Sequence, residues 1–558
     1  MARLAFFDGC AMVGWRAARH PETIWRPDDF VREYDYYGIA AGLVHHACAV
    51  EYHQDYGNRR LLREIADQPQ LAPQGVLMPH HTGEIAPADE LIPEMLELGV
   101  RAARIYPKMH GYDLAEDICG PMLGLLQDRR VPLFVDVTEM SIGQAAALCG
   151  RYPELPVILC GVAWGSDRTL EPALAQATNL HIETHAFQGH RAYERFVEQF
   201  GSERLIFGSG LPHCSPGAAM MMSLYEDIED DERDRIAGGN LLRLVKDVRA
   251  DGPCPIEEIR PGAAREDDDP IVAALREGLP LDDEFVFDSH GHIGHEGSMG
   301  IARMQLPYID GDGLVGTMDR CGIDHCIVST WSGITHGDED SNDITLRAVE
   351  RHEGRLLGYG CVNPRYPQEM QAEVRRVMRS GAMVGFKPYP PQQQVPLTDI
   401  RQTLMLEWAD RSGAPVLCHG GLNGANAVTP DQLDWLGGLY PNAKFLLAHT
   451  GSAWALAEAL VPVARCHRNI YAEITYTSIL YGMLEYLVRE IGRDRVLFGT
   501  DCVMRDAAPQ LGWAAWARIP LEDKRMVLGG NIADILSWPP ELRQSVTRNV
   551  RGARKGSD

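Results

Sequence analysis

The chain repeats itself once, over a distance that only a whole-domain duplication explains. Phe7-Asp8-Gly9-Cys10-Ala11-Met12-Val13-Gly14 resembles Phe287-Asp288-Ser289-His290-Gly291-His292-Ile293-Gly294 at an offset of 280. Ala103-Arg104-Ile105-Tyr106-Pro107 resembles Phe386-Lys387-Pro388-Tyr389-Pro390 at 283, and Val131 to Asp136 resembles Ala414 to His419 at the same offset. Tyr152-Pro153 matches Tyr440-Pro441 at 288. Arg204 to Ser209 matches Arg495 to Thr500, and Gly238-Gly239-Asn240 matches Gly529-Gly530-Asn531, both at 291. The order is kept and the offset drifts slowly upward, as loop insertions would make it. Such a period is far too long for a solenoid or a propeller.

The duplication sets the domain plan. A chain of 558 residues exceeds one ordinary core. The expected division is a first domain over 1–250, a linker over 251–284, a second domain over 285–540 and a basic tail over 541–558. The linker assignment rests on Pro253, Pro255, Pro261, the acidic run Glu266 to Asp269 and Pro270, with one short helix expected at Ile271–Glu277.

Composition excludes some partners. The net charge of −25 leaves no basic face for nucleic acid or an anionic membrane. The N-terminus shows no signal-peptide pattern, and no apolar run is long enough to span a bilayer. The 13 cysteines are scattered without Cys-x-x-Cys pairs, so they read as reduced thiols, and a cytoplasmic location is expected. The expected partner is a small-molecule substrate. The two barrels are expected to pair within the chain, with further homo-oligomerisation open.

In the second half, short apolar runs alternate with helical patterns. The runs fall at Phe285–Phe287, Cys326–Val328, Leu356–Tyr359, Met383–Phe386, Val416–Cys418, Phe445–Ala448, Ile470–Ala472 and Val496–Phe498, with helices expected over segments such as Gln371–Arg379 and Ala453–Val463. Alternating strands and helices imply a parallel sheet. Eight units in this length suggest an α/β fold of two tandem (β/α)₈ barrels. An open doubly wound sheet is the alternative, but its Gly-rich fingerprint after the first strand is missing.

Barrel sites lie at the C-terminal ends of strands. There the second half carries His290 and His292, Lys387, His419, His449 and Asp501. Residues at i and i+2 of an extended segment point the same way, so both imidazoles of the His-x-His pair can reach one metal. Trp331 and His336 follow the second strand and are candidate substrate contacts. His295 and Glu296 fall in the first loop. Glu473 has its counterpart in Glu183, which suggests a structural role shared by both halves, and Cys502 reads as packed.

The motifs Asp288-Ser289-His290-Gly291-His292, Gly385-Phe386-Lys387-Pro388, Cys418-His419-Gly420-Gly421, Leu447-Ala448-His449-Thr450-Gly451, Phe498-Gly499-Thr500-Asp501 and Gly529-Gly530-Asn531 jointly resemble the amidohydrolase superfamily. The resemblance is strongest to its amidohydrolase-related branch, which includes aminocarboxymuconate semialdehyde decarboxylase. It covers roughly Phe285 to Leu536. It implies that His290, His292, His419 and Asp501 bind one divalent metal, zinc by ligand type, with manganese or iron also suited. It implies that His449 is general base and acid, with Asp501 assisting at the activated water. Hydrolysis of a C–N bond or lactone of a carboxylated substrate is the favoured reaction. Non-oxidative decarboxylation or hydration of an aromatic or unsaturated acid is the alternative. For Lys387, three roles stay open: a substrate-facing ammonium, a carbamate bridging two metals, or a structural ion pair.

The same alignment applied to the first half maps His290 to Cys10, His292 to Met12, Lys387 to Arg104, His419 to Asp136, His449 to Gly161 and Asp501 to Gly210. The first barrel is therefore expected to be degenerate and non-catalytic. A residual metal site of Cys10 and Asp136 with His45, His46 or His185 is the alternative there.

Overall fold

A computed structural model describes residues 3–262, 265–295, 297–300, 304–337, 340–424 and 427–544. Glu296 and most of the expected tail lie outside them. The main division of the fold falls between Asp267 and Asp268. The stretch expected as a linker is thus shared out. Ile256 is buried in the core of the first unit, and Arg101 donates to the Gly252 carbonyl. The short helix forms at Pro270–Arg276 in the second unit, started by Pro270 and capped by Asp269, whose side chain accepts from Val272 N at 2.9 Å.

The first unit is an eight-stranded parallel sheet in sequence order. Its strands are β1 (Phe6–Val13), β2 (Ile39–His46), β3 (Leu71–Leu77), β4 (Ala102–Ile105), β5 (Leu133–Asp136), β6 (Val157–Cys160), β7 (Leu180–Glu183) and β8 (Leu205–Ile206). The second unit repeats the plan with β9 (Phe287–Ile293), β10 (His325–Thr330), β11 (Leu356–Gly360), β12 (Met383–Phe386), β13 (Pro415–His419), β14 (Lys444–Ala448), β15 (Ile470–Glu473) and β16 (Val496–Leu497). Both sheets close on themselves. Gly9 N donates to Phe207 O (2.9 Å) and Met12 N to Leu211 O (3.0 Å). Ser289 N donates to Phe498 O (3.1 Å) and His292 N to Cys502 O (2.6 Å). Each barrel is a packed core rather than a pore. Phe7, Leu43, Phe134 and Ile158 fill the first with Leu241 and Leu244. Phe287, Ile327, Tyr359, Leu417 and Leu446 fill the second with Ile532 and Ala533.

The repeated motifs are now explained physically. Gly238 and Gly529 sit where a helical turn crosses the start of the first strand. A Cβ would lie 2.4 Å from Ala5 O at Gly238 and 2.6 Å from Phe285 O at Gly529, so only glycine fits. The asparagines that follow tie the same turn to the last strand. Asn240 Nδ2 donates to Ser202 O (2.8 Å) and Leu205 O (2.9 Å), and Asn531 Nδ2 to Arg493 O (2.6 Å) and Val496 O (2.7 Å).

Two details differ from expectation. The first strand of the second barrel begins at Phe287 and runs through the His-x-His pair instead of ending before it. Pairing with β10 continues to Ile293 across a register shift between Asp288 and Gly291, so the ladder absorbs residues of low strand propensity. Helices start earlier or end later than the periodicity suggests, at Pro367–Arg379 and Trp454–Cys466. Among the described residues no helix is long and apolar enough to cross a membrane.

Candidate metal centre

His290 and His292 lie on β9 and are buried. Their Nδ1 atoms are both tied down. His290 Nδ1 is 3.1 Å from Glu473 Oε2, and His292 Nδ1 is 3.0 Å from Ser329 Oγ and 3.3 Å from Ser329 O. Carboxylate and carbonyl oxygens accept, so Nδ1 carries the proton in each ring and Nε2 is left as a lone pair. Both lone pairs face one carboxylate oxygen. Asp501 Oδ1 is 2.9 Å from His292 Nε2 and 3.6 Å from His290 Nε2. Three electron-rich atoms converging in a buried place call for a cation between them, and a borderline-soft divalent metal suits this N₂O set. The ligand-type atoms of His290, His292 and Asp501 all lie within 4.8 Å of one another, as do those of His290, His449 and Glu473.

The electrostatics support the same reading. Burial, then the nearby Lys387 ammonium, hold His290 well below the usual imidazole range, so it is neutral and able to ligate. Burial would raise Asp501, but the Arg505 guanidinium and the histidines hold it well below the usual carboxylate range. Arg505 Nη2 is 3.0 Å from Asp501 Oδ2, and the guanidinium stacks over Tyr476 at 5.2 Å.

His419 and His449 form the neighbouring layer. His449 Nδ1 donates to Thr475 O at 2.9 Å, and its Nε2 faces His419 Nδ1 at 3.1 Å. Among the described residues His419 is outside the groups of ligand atoms within 4.8 Å of one another, and it meets the cluster through His449. Burial pushes His449 down to about 4. Lys387 Nζ is 3.1 Å from His290 Nε2, and among the described residues no carboxylate pairs with it. Burial lowers its pKa.

Trp331 is buried and stacks on His292 with ring centroids 5.2 Å apart. His336, at the end of the same short helix, is exposed and pairs with no residue of the cluster. His295 is exposed and lines a cavity of about 640 Å³ with Asp310, Arg351 and His352. Cys502 is buried. Glu473 is more than the shared structural residue that its counterpart suggested, since it holds His290. Ser329, Thr475 and Arg505 were not singled out by sequence. Their roles depend on which strands face each other, and only the Asp501-x-x-x-Arg505 spacing hints at one of them.

The backbone marks the same positions. His449 (φ 65°) and Asp501 (φ 58°) both adopt the left-handed region. For residues with a Cβ this is strained, and such strain persists where the surroundings hold it in place. Their counterparts Gly161 and Gly210, both at φ 72°, keep the conformation without strain.

A family model described as amidohydrolase matches residues 26–246 and 331–538, well over half of the chain. The chain therefore belongs to the amidohydrolase family. No curated protein matches it in sequence. Solved structures similar to it include 5-carboxyvanillate decarboxylase of Sphingomonas paucimobilis, at 19% identity, 45% of this chain, 98% of that chain and a TM-score of 0.37. The 5-carboxyvanillate decarboxylase of Novosphingobium aromaticivorans, complexed with manganese and 4-hydroxy-3-methoxy-5-nitrobenzoic acid, matches at 14% identity over 46% of this chain and 97% of that chain, with a TM-score of 0.39. The 2,6-dihydroxybenzoate decarboxylase of Rhizobium matches at 14% identity over 46% and 99%, with a TM-score of 0.37.

Proposed function

We propose that the second barrel is a metal-dependent hydrolase that cleaves a C–N bond or lactone in a small carboxylate-bearing substrate. The observation that carries this is the convergence of two proton-committed imidazoles and Asp501 on one point. His290, His292 and Asp501 would hold one divalent metal, with zinc the best match to the ligand types. His419 would complete the set. Bound there, such an ion lowers the pKa of water and polarises a carbonyl.

The protein's own groups supply the rest. His449 waits unprotonated, with Nδ1 fixed on Thr475 O, and takes a proton at Nε2 before passing it to the leaving group. The lone pair of His290 Nε2 cannot serve Lys387 and a metal together. Lys387 is therefore free, in the loaded enzyme, to pair with a substrate carboxylate. The Trp331 indole, which stacks on His292, has its N–H buried without a partner and supplies a further donor at the cluster.

A second reading, decarboxylation of an aromatic acid, is favoured by the aromatic side chains around the cluster. Tyr389 lies 5.0 Å from His419, Tyr476 lies 5.7 Å from His449, and Trp331 covers His292. Metal-loaded protein incubated in ¹⁸O-water with carboxylated lactones, amides and hydroxybenzoates separates the two. ¹⁸O in the organic product supports hydrolysis; release of carbon dioxide with no ¹⁸O in the organic product overturns it in favour of the lyase.

The role of Glu473 gives a sharper test. Glu473→Gln weakens the fixed orientation of His290 and is expected to reduce metal affinity by roughly 10–100-fold. Competition with a fluorescent chelator measures it. Unchanged affinity would remove His290 from the ligand set.

A further inference from the structure

The first barrel has lost the metal-type side chains but not the chemistry of its pole. A Cβ on Gly161 would lie 2.8 Å from Asp136 Oδ2, and one on Gly210 would lie 3.1 Å from His185 Cδ2. Other groups now fill the space held by His449 and Asp501 in the second barrel. Cys10 projects from β1, Arg104 from β4, Cys160 from β6 and Glu183 from β7. The ligand-type atoms of Cys10, Cys160 and Glu183 lie within 4.8 Å of one another.

These groups gather around one carboxylate. Glu183 Oε2 accepts from His185 Nδ1 at 2.6 Å. The Cys10 and Cys160 thiols lie within 4.8 Å of each other and of a Glu183 oxygen, so both stand beside the carboxylate that holds His185. Thiol, imidazole and carboxylate, the three groups that activate a thiol nucleophile, are thus gathered in one cluster. Arg104 supplies the independent observation. It is only 4% exposed, and its Nε and Nη1 are buried without a partner. A buried guanidinium with unused donors invites an anion. Cys10 is only half-buried, and the His185 side chain is 17% exposed, so a small molecule can reach them.

The alternative residual metal site is less consistent with these contacts. His45 Nε2 is engaged by Tyr106 Oη at 2.8 Å, and His46 Nε2 lies 3.3 Å from Glu64. Glu183 is committed to His185. The Arg104 guanidinium would repel a divalent ion.

We propose that the first barrel carries a thiol-nucleophile site for small electrophiles bearing an anionic group. Arg104 seats the anion, and His185 takes the proton of Cys10. Sγ forms a bond to the electrophilic carbon as the bond to the leaving group breaks, and His185 returns the proton to that group. The acid–base balance fits. The Cys160 hydrogen bond, against burial, brings Cys10 down to about 7, while burial pushes Cys160 well above the usual thiol range. Burial opposes a charge on His185, but Glu183 outweighs it and holds the imidazole well above its usual range.

Iodoacetate and iodoacetamide test this on the full reduced chain at neutral pH, with alkylated cysteines mapped by mass spectrometry. Cys10 is expected to react first among the 13 cysteines. The anionic reagent is expected to be faster by roughly tenfold, the size of one modest ion-pair gain. Arg104→Gln should abolish that preference while Cys10 still reacts first. His185→Gln should slow both reagents. Cys10 lagging behind other thiols, or wild-type protein preferring the neutral reagent, overturns the proposal, and neither result depends on a variant folding.

Discussion

Asp501→Ala is expected to empty the second barrel of its metal. Wild-type protein reconstituted with zinc or manganese and desalted should hold about one ion in that barrel, and the variant close to none. The loss should exceed the roughly 100-fold upper range seen when only an orienting residue is removed. The carboxylate has two tasks. Oδ1 faces both Nε2 lone pairs, and Oδ2 pairs with the buried Arg505. Removing it takes one charge partner from the buried Arg505 guanidinium, which destabilises the fold. The variant should therefore also unfold at lower temperature. Asp501→Asn separates the tasks, because it keeps an oxygen but loses the charge. It should retain more stability than the alanine variant while still binding metal weakly. Elemental analysis and thermal unfolding measure both. Full metal retention in Asp501→Ala would shift the centre to the neighbouring group of His290, His449 and Glu473.

The barrels were legible because their strands are short apolar runs separated by helical periods, and because each motif occurs twice. Residues at strand ends were legible for the same reason: strand polarity alone places Lys387, His419, His449 and Asp501 at one pole. What one sequence could not show was which of them touch. Glu473 and Glu183 look equivalent in the alignment, yet one holds a candidate ligand from another strand and the other holds His185, two residues along its own chain. Cys160 gave no signal, because its nearness to Cys10 arises only when β1 and β6 face each other across the closed barrel. His336 closes the short helix that Trp331 opens, and there the indole is buried while the imidazole is exposed. The left-handed backbone at His449 and Asp501 was foreshadowed only by the glycines opposite them in the other half.

Removal of a repeated aspartate should produce the largest loss of stability. Asp8 and Asp288 occupy the same place on the first strand of each barrel. Asp8 accepts from Cys10 N (2.8 Å), Ser209 N (2.8 Å), Tyr34 Oη (2.8 Å) and Ser209 Oγ. Asp288 accepts from His290 N (2.9 Å), Thr500 N (3.0 Å), Thr500 Oγ1 (2.5 Å) and Cys326 Sγ (3.4 Å). Each carboxylate thus laces the first strand to the segment after the last, where the barrel closes. Truncation to alanine strands several buried donors at once, each at about 1–3 kcal/mol. The expected cost is about 3–5 kcal/mol, toward the upper end for a single substitution. The damage should appear in one unit at a time, so native-state hydrogen exchange is the appropriate measure. Asp8→Ala should raise exchange in β1, β2 and β8, and Asp288→Ala in β9, β10 and β16. The second variant should also weaken metal retention, because His290 N and Thr500 N, which flank the ligand positions, both hang on that carboxylate. A loss below about 0.5 kcal/mol, typical of neutral surface changes, would show that the ladder bonds close the barrels without this lacing.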